Sequence, residues 1–128
     1  MTVSMRTPLG KVQGLGSAKA GVHHWWHQRL TALALIPLCL LFAVLLIWLA
    51  GEPHAVVADW LGSPVPGLLI LVMIVAGLYH LKLGMQVVIE DYVHTEWLKL
   101  ASIVVVMFGC ILLGLACVLA VLSLMLGA

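Results

Sequence analysis

Charge is scarce along this sequence. Only 9% of its 128 residues are Asp, Glu, Lys or Arg, and the formal net charge is +1. That balance offers no clustered basic surface of the kind a nucleic acid requires. Cysteine is nearly absent as well. Cys39, Cys110 and Cys117 lie far apart within apolar runs, a pattern that supplies neither a zinc site nor the thiolate cluster of an iron–sulfur centre, and they read as small packing residues. No glycine fingerprint for a dinucleotide is present, no segment alternates polar and apolar residues as a half-buried strand does, and no unit repeats. Flavin, nicotinamide and iron–sulfur chemistry therefore has no seat on this chain.

What the sequence does hold is apolar surface. Hydrophobic residues make up 64% of it, more than a water-soluble core of this length can hide. A helix needs about 20 apolar residues to cross the hydrocarbon layer, and three stretches meet that need, at 28–50, 65–90 and 97–126. The expected fold is all-α: one membrane-anchor domain with three transmembrane helices, since lipid tolerates no unpaired backbone. Residues 1–27 read as a Gly-rich, basic segment of coil or short turns. The first apolar run exceeds the core of a signal peptide and no small-residue cleavage site follows it, so it reads as a retained span.

Orientation follows from the cations. Arg6, Lys11 and Lys19 precede the first span and Arg29 stands at its start, whereas the loop 51–64 contains Glu52, His54 and Asp59 and no Lys or Arg. The positive-inside rule then expects a cytoplasmic N-terminus and a periplasmic C-terminus. Lys82 and Lys99, near the second inner boundary, agree. Trp25, Trp26, Trp48 and Trp60 sit where amphipathic rings settle at the two interfaces, and Pro37 should bend the first span.

One imidazole stands out. His80 lies nine or ten residues inside the second span, about 15 Å from its inner end, where an ionisable group is costly and usually functional. Two readings stand together: a neutral histidine hydrogen-bonded to a neighbouring helix, and a cofactor ligand. At ~100° per residue, Gly84 and Gly77 fall about 40° and 60° from His80, and Asp91 returns to within about 20°. That face carries a ring nitrogen, two positions without side chains and a carboxylate at the water edge, which suits a flat ligand such as haem. An electron-transfer haem commonly takes two strong axial ligands, and His23, His24, His27 and His94 are read at the rim. A second imidazole would therefore come from another chain. Asp91-Tyr92 serves equally as an interfacial belt with a cap, or as a phenol and acid able to donate to a quinone carbonyl and pass a proton. His23, His27 and Arg29 read as interfacial donors for anionic groups such as haem propionates or lipid phosphates.

His80, Gly84, Met85, Asp91 and Tyr92 in "HLKLGMQVVIEDY" resemble the second span of the hydrophobic membrane anchor of bacterial succinate dehydrogenase (respiratory complex II). "GVHHWWHQRLTALAL" is similar to that anchor's entry into its first span, and the resemblance covers about residues 8–100. It implies a multi-pass protein of the bacterial inner membrane. It further implies His80 as an axial ligand of a haem b whose second histidine is on the other membrane-embedded subunit of the complex, with Tyr92 and Asp91 at a ubiquinone site. His23 and Arg29 fall near the haem propionates or the quinone pocket. FAD and iron–sulfur clusters would lie only on the flavoprotein and iron–sulfur subunits that dock on this anchor. The family often places an acid where this chain has His24. A fumarate reductase anchor shares the layout, and a scaffold without haem is the remaining alternative.

Overall fold

A computed structural model describes Met5, residues 7–14 and residues 21–127 of the chain. Arg6 and Lys19, two of the cations used for orientation, lie outside the described residues, as does the stretch 15–20. Five helices follow in order: α1 (Pro8–Val12), α2 (Gly21–Leu49), α3 (His54–Gly62), α4 (Pro64–Tyr92) and α5 (Glu96–Leu126). No strand occurs among the described residues. The protein is an all-α membrane protein with three candidate spans, α2, α4 and α5. Their 29, 29 and 31 residues reach about 44 Å at ~1.5 Å per residue, longer than the ~30 Å hydrocarbon layer, so each helix projects into the interfaces.

The first long helix is already formed at Gly21, the first described residue after 15–20, upstream of the 28 expected from the onset of continuous apolar residues. Nothing between Gly21 and Pro37 breaks a helix, so polar residues there extend the element instead of preceding it. Pro37 lies inside α2, where it removes one intrahelical hydrogen bond without ending the helix. Within the Gly-rich N-terminal segment, Pro8–Val12 forms a single turn capped by Thr7, whose Oγ1 accepts from Gly10 N at 3.1 Å.

The connection after α2 is helical too. Gly51 turns the chain with φ +90, a conformation that glycine adopts without steric cost. After Pro53, α3 then runs to Gly62. Ser63 precedes Pro64 and is extended, with ψ 151, as a residue before proline prefers; it separates α3 from α4, and Pro64 opens the new helix. Trp48 and Trp60 pack with ring centroids 5.2 Å apart and planes tilted by 58° and tie α2 to α3. At the opposite end, Val93, His94 and Thr95 link α4 to α5, whose first turn holds an ion pair, Glu96 to Lys99 at 3.2 Å.

The three long helices form an open layer. α4 is central, α2 and α5 each pack mainly on it, and α3 crosses beneath the C-terminal end of α5. Gly114 on α5 meets Leu78 of α4 and Gly77 of α4 meets Leu35 of α2, so small residues mark both seams. Gly109 faces open space. Among the described hydrophobic residues only Leu49, Leu83 and Ile89 are buried; many others are half-buried at the helix seams, and a large apolar surface faces outward.

Candidate functional site

The site grows from one polar stripe on α2. His24, Gln28 and Thr31 recur at four and three residues, so they share a helix face, and that face meets α4 at His80. Thr31 Oγ1 lies 2.9 Å from His80 Nδ1, and the Gln28 amide nitrogen lies 3.4 Å from His80 Nε2. One residue along, His27 Nδ1 and the Tyr79 hydroxyl are 2.6 Å apart. Two adjacent cross-helix hydrogen bonds thus lock the α2–α4 register.

These bonds also set the levels of the groups. Hydropathy alone puts His27 at the rim and His80 well below it. The His27–Tyr79 bond puts His27 beside the residue preceding His80, because α2 already runs as a helix through the histidine cluster while α4 extends further past this level to Tyr92.

Beside the two bonds opens a groove of about 710 Å³ lined by His24, Gln28 and Arg29 from α2 and by His80, Gly84 and Val87 from α4. That is within the range of ligand-sized clefts. His80 is half-buried. Gly84 keeps the wall low: a Cβ there would stand 3.5 Å from the Gln28 amide, ordinary contact, whereas a longer side chain would fill the cleft. His24 Nε2 and Gln28 Oε1 are buried without a hydrogen-bond partner, a cost that a polar ligand in the groove would relieve. Arg29 lies 5.5 Å from the centre of the Trp25 ring, held by a cation–π contact with its guanidinium at the groove edge.

Of the residues singled out in the sequence, the structure brings His80 and Arg29 into this groove. His23 is exposed and does not line it; the adjacent His24 does, about 100° away around the helix. Asp91 and Tyr92 are the last two residues of α4 and both are exposed, Tyr92 at 77%, about 17 Å along the axis from His80. Asp91 continues the α4 face that carries His80, Gly84 and Val87, so groove and rim share one side of the helix. Thr31, Gln28 and Tyr79 did not emerge from the sequence. The periodic polar stripe on α2 was the available signal for the first two.

The groups that could hold a metal are few. Among the described residues, no three of His, Cys, Asp and Glu converge. The residues present suit haem in three respects: a ring nitrogen facing a cleft, a glycine leaving room for a flat macrocycle, and an arginine with a histidine nitrogen available for carboxylates.

Comparison with known proteins returns one family. A family profile described as succinate dehydrogenase/fumarate reductase transmembrane subunit matches residues 3–114. The succinate dehydrogenase hydrophobic membrane anchor subunit of Rickettsia bellii is 40% identical over 123 residues, covering 94% of this chain and 97% of the relative. The subunit of the same name from Rickettsia conorii is 33% identical over 94% of this chain and 96% of its own length. That of Paracoccus denitrificans is 32% identical over 80% of each. No solved structure matches.

Proposed function

Since the chain belongs to the succinate dehydrogenase/fumarate reductase transmembrane subunit family, a multi-pass membrane anchor of the bacterial inner membrane, we propose that it supplies half of a haem b site and part of a ubiquinone-reducing pocket. The observation that carries the haem half is the environment of His80: Nδ1 lies 2.9 Å from Thr31 Oγ1, Nε2 has only the 3.4 Å contact of the Gln28 amide nitrogen, and the ring lines a cleft shared with Gly84 and Arg29. The well-formed neighbouring-helix bond and the ligand role, which look like rivals in the sequence, then fall to different nitrogens, the ligand displacing the loose Gln28 contact.

Haem bound here would supply a one-electron carrier. His80 would hold the iron on one side, with the second imidazole from the other membrane-embedded subunit. Arg29 and His24 would face the propionates, and Gly84 would leave space for the ring edge. His23, exposed on another face, is better placed toward lipid headgroups.

The quinone half rests on α4's end. Reduction of a quinone to a quinol takes two electrons and two protons, so the pocket needs a donor at the carbonyl oxygen and a path to water. Tyr92 donates its phenolic proton in a hydrogen bond to that oxygen. Asp91, beside it and exposed to water, returns a proton to the site. Succinate oxidation belongs to the flavoprotein subunit, and electrons arrive through the iron–sulfur subunit; both dock on the cytoplasmic side, where α4 ends and α2 begins. The N-terminus lies on that side and the C-terminus on the periplasmic side, in keeping with Lys11, Arg29, Lys82 and Lys99 against a cation-free loop at 51–64. The fumarate-reducing direction shares the family description, but the relatives named above favour succinate oxidation.

In the assembled complex, His80→Ala removes or shifts the reducible b-type spectrum while the chain stays in the membrane; an unchanged spectrum defeats the ligand assignment. Tyr92→Phe lowers succinate-to-quinone activity by roughly 100-fold, as loss of a positioned proton donor does, and leaves succinate oxidation by a soluble dye intact. Equal loss in both assays means that the phenol is structural.

A further inference from the structure

Two side chains of α2 treat the two nitrogens of His80 differently. The Thr31 hydroxyl has one proton to give. It lies 2.7 Å from the carbonyl of His27, one turn back along α2, and 3.1 Å from that of Gln28. Either carbonyl can only accept, so the proton goes there. The hydroxyl then has only lone pairs to offer His80 Nδ1, 2.9 Å away. Hydrogen bonding between them requires Nδ1 to donate.

A neutral imidazole carries one ring proton. With that proton on Nδ1, Nε2 is left with its lone pair, the form in which a histidine binds metal. The neighbour at Nε2 is consistent with this. Gln28 presents its NH2 group there, not its carbonyl oxygen, and does so at 3.4 Å, near the outer limit of hydrogen bonding. Its Oε1 has no partner. The contact at Nε2 is thus weak and easily displaced, whereas the contact at Nδ1 is well formed.

We infer that Thr31 is the positioning residue for the His80 imidazole: by accepting the Nδ1 proton it selects the tautomer with Nε2 free and fixes the ring plane toward the groove. The inference rests on the reading of His80 as a haem ligand and adds the residue that prepares it. An acceptor behind an axial imidazole also makes the ligating nitrogen a stronger donor and favours the oxidised iron. Losing that acceptor should raise the midpoint potential and let the ring rotate.

The test uses the whole complex with its partner subunits. Thr31→Val removes the oxygen at nearly constant volume; Thr31→Ala removes it with no added bulk, should the valine methyl crowd the seam; Thr31→Ser keeps it. The ferric haem's highest electron-paramagnetic g value, which follows the orientation of the axial rings, and the haem midpoint potential are the readouts. Both shift in the valine and alanine variants, the potential upward, and both return to the native values in the serine variant, with dye-linked succinate oxidation unaffected throughout. Native g value and potential in the valine or alanine variant overturn the inference. Failure of the underlying reading is separate: it shows as a His80→Ala complex with a native spectrum, whereas a changed His80→Ala spectrum beside native-like valine and alanine variants removes the role of Thr31 alone.

Discussion

On the proposed reading, His80 has to meet two requirements that conflict for most buried polar side chains. A ring in a low-dielectric span must satisfy its polar atoms, yet a ligand must keep a lone pair uncommitted. The Thr31 contact on Nδ1 and the loose Gln28 contact on Nε2 meet both. Gly84 is the permissive residue of the same cleft. Since a Cβ at this position makes only ordinary contact with Gln28, Gly84→Ala should leave the haem-to-flavin ratio of the purified complex unchanged, while Gly84→Leu projects into the cleft and should lower it severalfold. The place of His80 inside a span could be read from its position in an apolar run, because the cost of burying such a ring does not depend on knowing its neighbours. The stripe that holds Thr31 and Gln28 was visible as a period, but their pairing with His80 was not, because it depends on which face of α2 meets α4. His23 and His24 show the same limit: adjacent in sequence, about 100° apart on the helix, and only the packing direction tells which one faces the groove.

Long helices are evident from composition, whereas their starts and the short α3 are not. Hydropathy marks where lipid begins, and a helix does not end there when no breaker intervenes; hence α2 is already formed at Gly21 and carries its polar stripe into register with α4. The segment between α2 and α4 has the punctuation of a loop, yet between Pro53 and Ser63 it coils into α3 and packs on α5. Gly62 permits that approach. A Cβ at this position would lie 2.6 Å from the Leu124 carbonyl oxygen and 3.0 Å from its carbon, and backbone atoms cannot step aside. Gly62→Ala should therefore destabilise the α3–α5 junction by about 1–3 kcal/mol, the usual cost of overpacking, seen as a lower thermal midpoint of the detergent-solubilised complex. Gly109→Ala, in open space, should leave that midpoint unchanged.

The molecule as a whole is a layer, not a closed bundle. With α4 alone flanked on both sides by long helices and most large apolar residues exposed, it leaves broad apolar faces open to lipid and to the other subunits that a succinate dehydrogenase anchor joins. Its placement across the membrane is testable without any cofactor. With the native cysteines replaced by serine, Thr95→Cys should react with an impermeant thiol reagent from the cytoplasmic side and Glu52→Cys from the periplasmic side. The reverse pattern would overturn the orientation inferred from the cations.

Membrane residence, three spans, an all-helical fold and the family were all legible in the order of residues, because apolar length and the spacing of a few polar groups carry that information locally. The shared level of His27, Tyr79 and His80, the choice of His24 over His23 at the groove, and the contacts of Thr31 and Gln28 with the two His80 nitrogens emerged only from the folded chain. Each depends on the rotation and axial register of α2 against α4, which cross-helix contacts fix and no local pattern encodes.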